Sequence, residues 1–208
     1  MHRWHVQEKG RRILLIAYTL SYKELFNRLL LLISSPAKAW EEILVEEDRR
    51  KVLAGFVYPL VGLCGLAVFL GSVSLDFEAF SLQTAMTKAC SVVVSLFGGY
   101  FLAAYLVNLY GMKALKREQE LVLCRQFVGY SMSVLFLLDI VLGLFPGFFI
   151  LRWILQFYIV WIVWEGARKL MKVGEEKLLP YTLVVSAFII VSPMMLKVLF
   201  DYLSVTLR

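Results

Sequence analysis

One acid and one guanidinium stand out in a long apolar stretch of this chain. Asp139 lies six to seven residues before the centre of the segment Gly143-Leu144-Phe145-Pro146-Gly147, and Arg152 lies six to seven residues after it. The two glycines and the proline mark a tight corner between helices. In an antiparallel helical hairpin, equal counts from the corner mean equal depth, here roughly 10 Å at the usual helical rise. A lone charge at that depth in hydrocarbon is costly, and a facing opposite charge offsets much of the cost. The spacing therefore predicts an Asp139–Arg152 pair. Gln156, one turn along from Arg152 on the same face, extends it into a polar cluster. Such a cluster either pins the register of two helices or serves as an ion or proton site in a polar cavity. A single carboxylate with no second acid and no histidine nearby favours the pin.

The remaining ionisable residues give little chemistry. Arg125 opens one apolar run and Glu165 closes the next at comparable depth, a second candidate pair unless both belong to a solvated rim. Lys197 and Asp201 stand four apart near the end of the last run, where a lysine snorkels to water. The two histidines, His2 and His5, are at the extreme N-terminus, which removes most metal sites and any Ser-His triad. Cys64, Cys90 and Cys124 are too far apart for a zinc knuckle or a CxxC pair and read as small packing residues. There is no phosphate loop, dinucleotide glycine motif or nucleophile elbow. The expectation is no catalytic residue, no metal and no cofactor, and a protein that is not an enzyme.

The elements that hold these residues follow from composition. Of 208 residues, 60% are apolar and 18% charged, against about 25% charged in a soluble domain. The apolar residues come in runs of about twenty, enough to cross a hydrocarbon core. Five such runs stand at 52–73, 88–112, 121–145, 148–167 and 180–202. The predicted fold is all-α: a polytopic membrane protein in which residues 52–203 form a five-helix transmembrane bundle. Pro59 is expected to kink the first span. Ser91, Ser95, Gly99 and Ala103 repeat every fourth residue along the second and form a smooth ridge for close helix packing. The ridge serves packing within the chain or, as the second reading, a homo-oligomer. Gly55, Gly62 and Gly65 are read as a similar surface on the first span.

Residues 1–21 read as a weakly ordered leader without a cleavage site. In 22–51, Tyr22, Leu25, Phe26, Leu29, Leu30 and Ile33 fall on one helical face. Ser35 and Pro36 then stop this helix and start a second around Trp40. Both read as amphipathic helices at the water–lipid boundary, with Phe26 and Trp40 at headgroup depth, or else as a hairpin packed on the spans. Eighteen of the 22 basic residues lie before the first span, in the segments joining spans two to three and four to five, or, as Arg125, at the span end that opens from them. The positive-inside rule then puts the N-terminus in the cytoplasm and the C-terminus outside. With this distribution the net charge of +6 speaks for anionic lipid rather than nucleic acid.

This arrangement resembles the Yip family of polytopic membrane proteins, named for binding Ypt/Rab GTPases, over about residues 23–203. The likeness is carried by Arg28–Ile43, with Pro36 followed by Trp40, and by Gly129-Tyr130 opening the third span. Glu46 to Lys51 replace an Asp-Leu-Tyr/Trp-Gly-Pro-like segment of the eukaryotic branch, and Val134 stands where that branch has proline. The likeness is therefore closer to the bacterial branch. It implies a multi-pass protein of the inner membrane with a cytoplasmic N-terminus and five spans. The function expected is a non-enzymatic scaffold or adaptor in membrane organisation or trafficking. Its partners would be the bilayer, anionic lipid and another protein. The alternative is a solute, ion or lipid transporter or channel using Asp139, Arg152 and Gln156.

Overall fold

The structure is a computed structural model that describes residues 22–46, 49, 51–75, 81–116, 118, 120–148 and 150–206. The leader 1–21 lies outside the described residues. Those described are almost entirely helical. Helix α1 covers residues 22–34. Helix α2 spans Pro36–Leu44, with Pro36 in its first turn and Ser35 at the N-cap position without a side-chain cap bond. Helix α3 is a π-helical turn, Leu53–Val57, running into Tyr58–Leu75. Helices α4 (Leu82–Leu115), α5 (Leu121–Ser131), α6 (Ser133–Leu144), α7 (Ile150–Lys169) and α8 (Glu175–Thr206) follow, with a 3-10 turn, Pro146–Phe148, at the corner between α6 and α7. Five helical segments are long and apolar enough to cross a membrane: Leu53–Val73, Leu82–Leu115, Leu121–Leu144, Ile150–Lys169 and Glu175–Leu203.

Several boundaries differ from the hydropathy reading. Helices α4 and α8 extend past 88–112 and 180–202 at both ends, because backbone hydrogen bonding continues where hydropathy stops. Ser81 accepts from the Thr84 amide and so caps the start of α4. Pro180 lies inside α8 as its sixth residue, in the second turn, where its missing amide leaves one carbonyl of the first turn without its usual donor. The third span is divided at Met132, although Met132 N still donates to Val128 O and Phe136 N to Met132 O. Instead of a simple kink, the backbone ahead of Pro59 widens into the π turn, in which Tyr58 N donates to Leu53 O. The wider turn makes room for a residue that brings no donor and whose ring crowds the preceding turn.

Helix α4 is central, packed on α3, α5 and α8; α8 also meets α7, and α6 lies between α3 and α7. The ridge packs within the chain. A β-carbon on Gly99 would lie 2.6 Å from Pro193 Cα on α8, and Ser91 Oγ donates to Asp201 Oδ1 at 2.6 Å. Of the three glycines read on α3, only Gly65 is crowded, against Val93; Gly55 and Gly62 face open space. The tightest crossing is elsewhere, where α3 meets α6. A β-carbon on Gly71 would sit on the Gly143 carbonyl, and one on Gly143 would lie 2.9 Å from Val68 N. These obstacles are backbone atoms and cannot rotate away. Gly71→Ala and Gly143→Ala are each expected to destabilise by about 3 kcal/mol, the upper end of the usual overpacking cost. Unfolding by SDS in mixed micelles measures this, with Gly62→Ala as a near-neutral control.

Candidate functional site

Two polar clusters lie toward opposite ends of the bundle. The first surrounds Trp40. Position 40 is predicted at the lipid headgroups, and the structure corrects this: Trp40 is fully buried. Its Nε1 donates to Ile162 O at 2.9 Å, and its ring packs on Phe127 and Tyr130. The space exists because position 166 is glycine; a β-carbon there would come within 2.6 Å of Trp40 and Phe127. Tyr158 Oη donates to Ile33 O at 2.6 Å. Tyr158 is the ninth of twenty residues in α7, so the corner between α1 and α2 reaches toward the middle of that helix. Lys169 donates to Ala37 O and also to Glu41, whose carboxyl it holds below its usual range. The hairpin is thus packed into the bundle and does not lie flat on it. Leu25, Leu29 and Leu32 of α1 are buried, whereas Tyr22, Phe26 and Leu30 are exposed. The single apolar face read from the sequence is divided between a side turned to the bundle and a side turned away.

Beside Trp40, three groups converge on Glu46. Arg28 pairs with it at 2.8 Å, Tyr130 Oη donates at 3.0 Å, and Gln126 Nε2 donates at 3.3 Å. The Arg28 guanidinium also lies 5.8 Å from the centre of the Tyr130 ring. The Pro36–Trp40 segment and the Gly129-Tyr130 pair therefore meet through the Trp40 and Tyr130 rings. Gly129 is close-packed as well, since a β-carbon there would lie 2.9 Å from Val52 Cγ2. Glu46 and Arg28 are not among the residues singled out from the sequence. The available signal is a lone arginine facing a leucine run, with an acid soon after the second helix. Glu46→Ala leaves Arg28 without its counter-ion and Tyr130 and Gln126 without an acceptor. The expected cost is about 2–3 kcal/mol, together with faster proteolysis within residues 22–46.

The second cluster contains Asp139 and Arg152. Arg152 Nη2 donates to Asp139 Oδ1 at 2.8 Å. The pair lines a cleft of about 390 Å³ that also takes in Lys88, Ser91, Lys197 and Asp201. Gln156 is not part of it: no hydrogen bond joins Gln156 to the pair among the described residues. Counted from the corner, the α6 residue at the depth of Gln156 is Leu135, which offers no polar partner. Arg125 and Glu165 do not pair either. Arg125 lies over the Phe101 ring on α4, 5.4 Å from its centre, and Glu165 is buried on α7 with no ion pair to a described residue. Matched depth is not enough when the two side chains leave their helices in different directions. No cluster of three or more histidine, cysteine or carboxylate residues capable of holding a metal occurs among the described residues.

Between the two clusters the bundle is filled. The Tyr130 ring lies 4.9 Å from Phe56, Phe56 lies 6.4 Å from Phe136, and Cys64 Sγ donates to the Phe136 carbonyl. Phe56, Phe136, Cys64, Leu60 and Met132 are at most 2% exposed.

Five spanning helices with an apolar core define an all-helical multi-pass membrane protein. The Yip1 domain matches residues 30–196, from α1 to Leu196 in α8. The chain belongs to the Yip1 domain family. No curated protein and no solved structure is detectably similar to it.

Proposed function

We propose that this protein is a non-enzymatic membrane scaffold or adaptor of the Yip type, acting in membrane organisation or trafficking. One observation carries the reading: the hairpin of α1 and α2 is locked to the bundle through Trp40, Tyr158 and Glu46, while Phe26, Leu30, Leu44 and Val45 stay exposed. A rigid base with an uncommitted apolar face suits recognition by lipid or by another protein. We place the N-terminus in the cytoplasm and the C-terminus outside on the strength of the 18 basic residues assigned to one side, and the membrane as a bacterial inner membrane on the resemblance to the bacterial branch of the family. The packed layer between the clusters speaks against the transporter alternative, which needs a continuous path.

Deleting the hairpin would uncover Phe127 and Gly166, so the test must spare the buried face. Phe26→Glu with Leu44→Glu changes only exposed positions and is expected to leave stability within about 0.5 kcal/mol of the parent. Cross-linking in native membranes should lose the protein adducts that the parent forms through this face. Unchanged adducts would remove the adaptor reading. Orientation is tested in a Cys90→Ser background with cysteine placed at Glu118 or Gly147. An impermeant thiol reagent applied to whole cells is expected to label position 147 alone.

A further inference from the structure

We infer that the cleft around Asp139 and Arg152 binds a phosphate group, carried by a lipid headgroup or by a small soluble phosphoester. This goes beyond the adaptor reading, which uses the other end of the molecule. Three cations and two carboxylates from four helices meet here: Lys88 on α4, Asp139 on α6, Arg152 on α7, and Lys197 and Asp201 on α8. Asp139 is held by Arg152, and Asp201 accepts from the Ser91 hydroxyl while keeping its charge, so the five groups carry a formal net charge of +1. Lys88 and Lys197 form no ion pair with a described residue. One donor of the Arg152 guanidinium is used on Asp139, and the fork has five. The cleft therefore offers surplus positive charge with donors at three points, the arrangement that suits a tetrahedral anion.

Its position narrows the anion further. Lys88 is in the second turn of α4, and Asp139 is five residues from the end of α6, about 8 Å at the helical rise. Exposed Phe148, Trp153 and Tyr202 lie around the same end, as aromatic residues do at the headgroup level. The anion present in bulk at that depth is the phosphodiester of a phospholipid. The apolar wall given by Val68, Val92 and Leu142 can take the adjoining glycerol or the first methylenes. The volume of about 390 Å³ lies within the usual range for small-molecule sites, about 300–1,000 Å³.

The full-length protein in dodecyl maltoside is titrated with phosphatidylglycerol or with diacylglycerol, which shares the chains but lacks the phosphate, and bound molecules are counted by native mass spectrometry. One phosphatidylglycerol should bind with no equivalent diacylglycerol adduct. K88Q/K197Q, which leaves the Asp139–Arg152 pair intact, should weaken binding at least tenfold. The same change at the other end, K38Q/K113Q, should not alter it. A second arm uses glycerol phosphate without lipid. Binding of glycerol phosphate but not of phosphatidylglycerol identifies a soluble phosphoester as the source, and the reverse identifies the lipid. Equal binding of diacylglycerol, no binding of either phosphate carrier, or unchanged affinity in K88Q/K197Q overturns the proposal.

Discussion

Replacing Trp40 with alanine is expected to cost about 3–5 kcal/mol, the range for removing a large aromatic side chain from a core. Position 40 has no exposed surface, so no part of the ring's burial is forfeited in the folded state. The cavity would be walled by Phe127, Tyr130 and Gly166, and the Ile162 carbonyl would lose its donor. Little can collapse into the space, because α5 and α7 already touch through Phe127 and Gly166 and cannot close further. Trp40→Phe separates the two contributions. It keeps most of the apolar surface and loses the hydrogen bond together with a smaller part of the ring volume, with an expected cost of about 1–2 kcal/mol. SDS unfolding of the three proteins measures the order. If Trp40→Ala unfolds within 1 kcal/mol of the parent, on the scale at which core truncations cost several, the hairpin is not anchored as described. Gly166→Ala should mimic part of the effect, since the added methyl occupies the place of the indole.

Breaking the Asp139–Arg152 pair is expected to be strongly asymmetric. Asp139 is the more enclosed partner, its side chain 17% exposed against 41% for Arg152. Arg152→Ala takes away the hydrogen-bonded counter-ion of Asp139 and leaves only Lys88 and Lys197 across the cleft; it should cost about 3 kcal/mol, the low end for a buried pair that loses one member. Asp139→Asn leaves a long guanidinium that can turn toward the end of the helix, and about half that cost is expected. Replacing both residues by leucine removes the charges together and should recover most of the stability, as paired apolar replacements of buried ions do. Equal costs for the two single variants, or a double variant no better than Arg152→Ala, would show that the pair does not set the register of α6 and α7.

The two anchors act on different parts of the molecule. Trp40 and Glu46 hold the N-terminal hairpin, which carries the exposed face proposed for recognition. Asp139 and Arg152 hold the far corner, together with the glycine crossing at Gly71 and Gly143. Phe56, Cys64 and Phe136 separate them with tight packing, so adaptor activity and phosphate binding are expected to be separable by mutation.

Five helices, their order and their antiparallel course are legible in the chain. Twenty apolar residues have to satisfy their own backbone in lipid, and helices joined by short corners must turn back. Equal spacing about the corner at 143–147 likewise sets Asp139 and Arg152 at one depth, whatever surrounds them. Depth, however, is one coordinate of a side chain; direction around the helix axis is the other, and it depends on neighbours that are distant in sequence. Arg125 turns to Phe101 and Glu165 is buried elsewhere, although their depths match. The same applies to Trp40, whose type suits a headgroup as well as a core: it is buried because Gly166, more than a hundred residues later, leaves a gap the size of an indole ring. Glu46 gathers Arg28, Gln126 and Tyr130 from two other helices, and no periodicity within any one of them records that meeting.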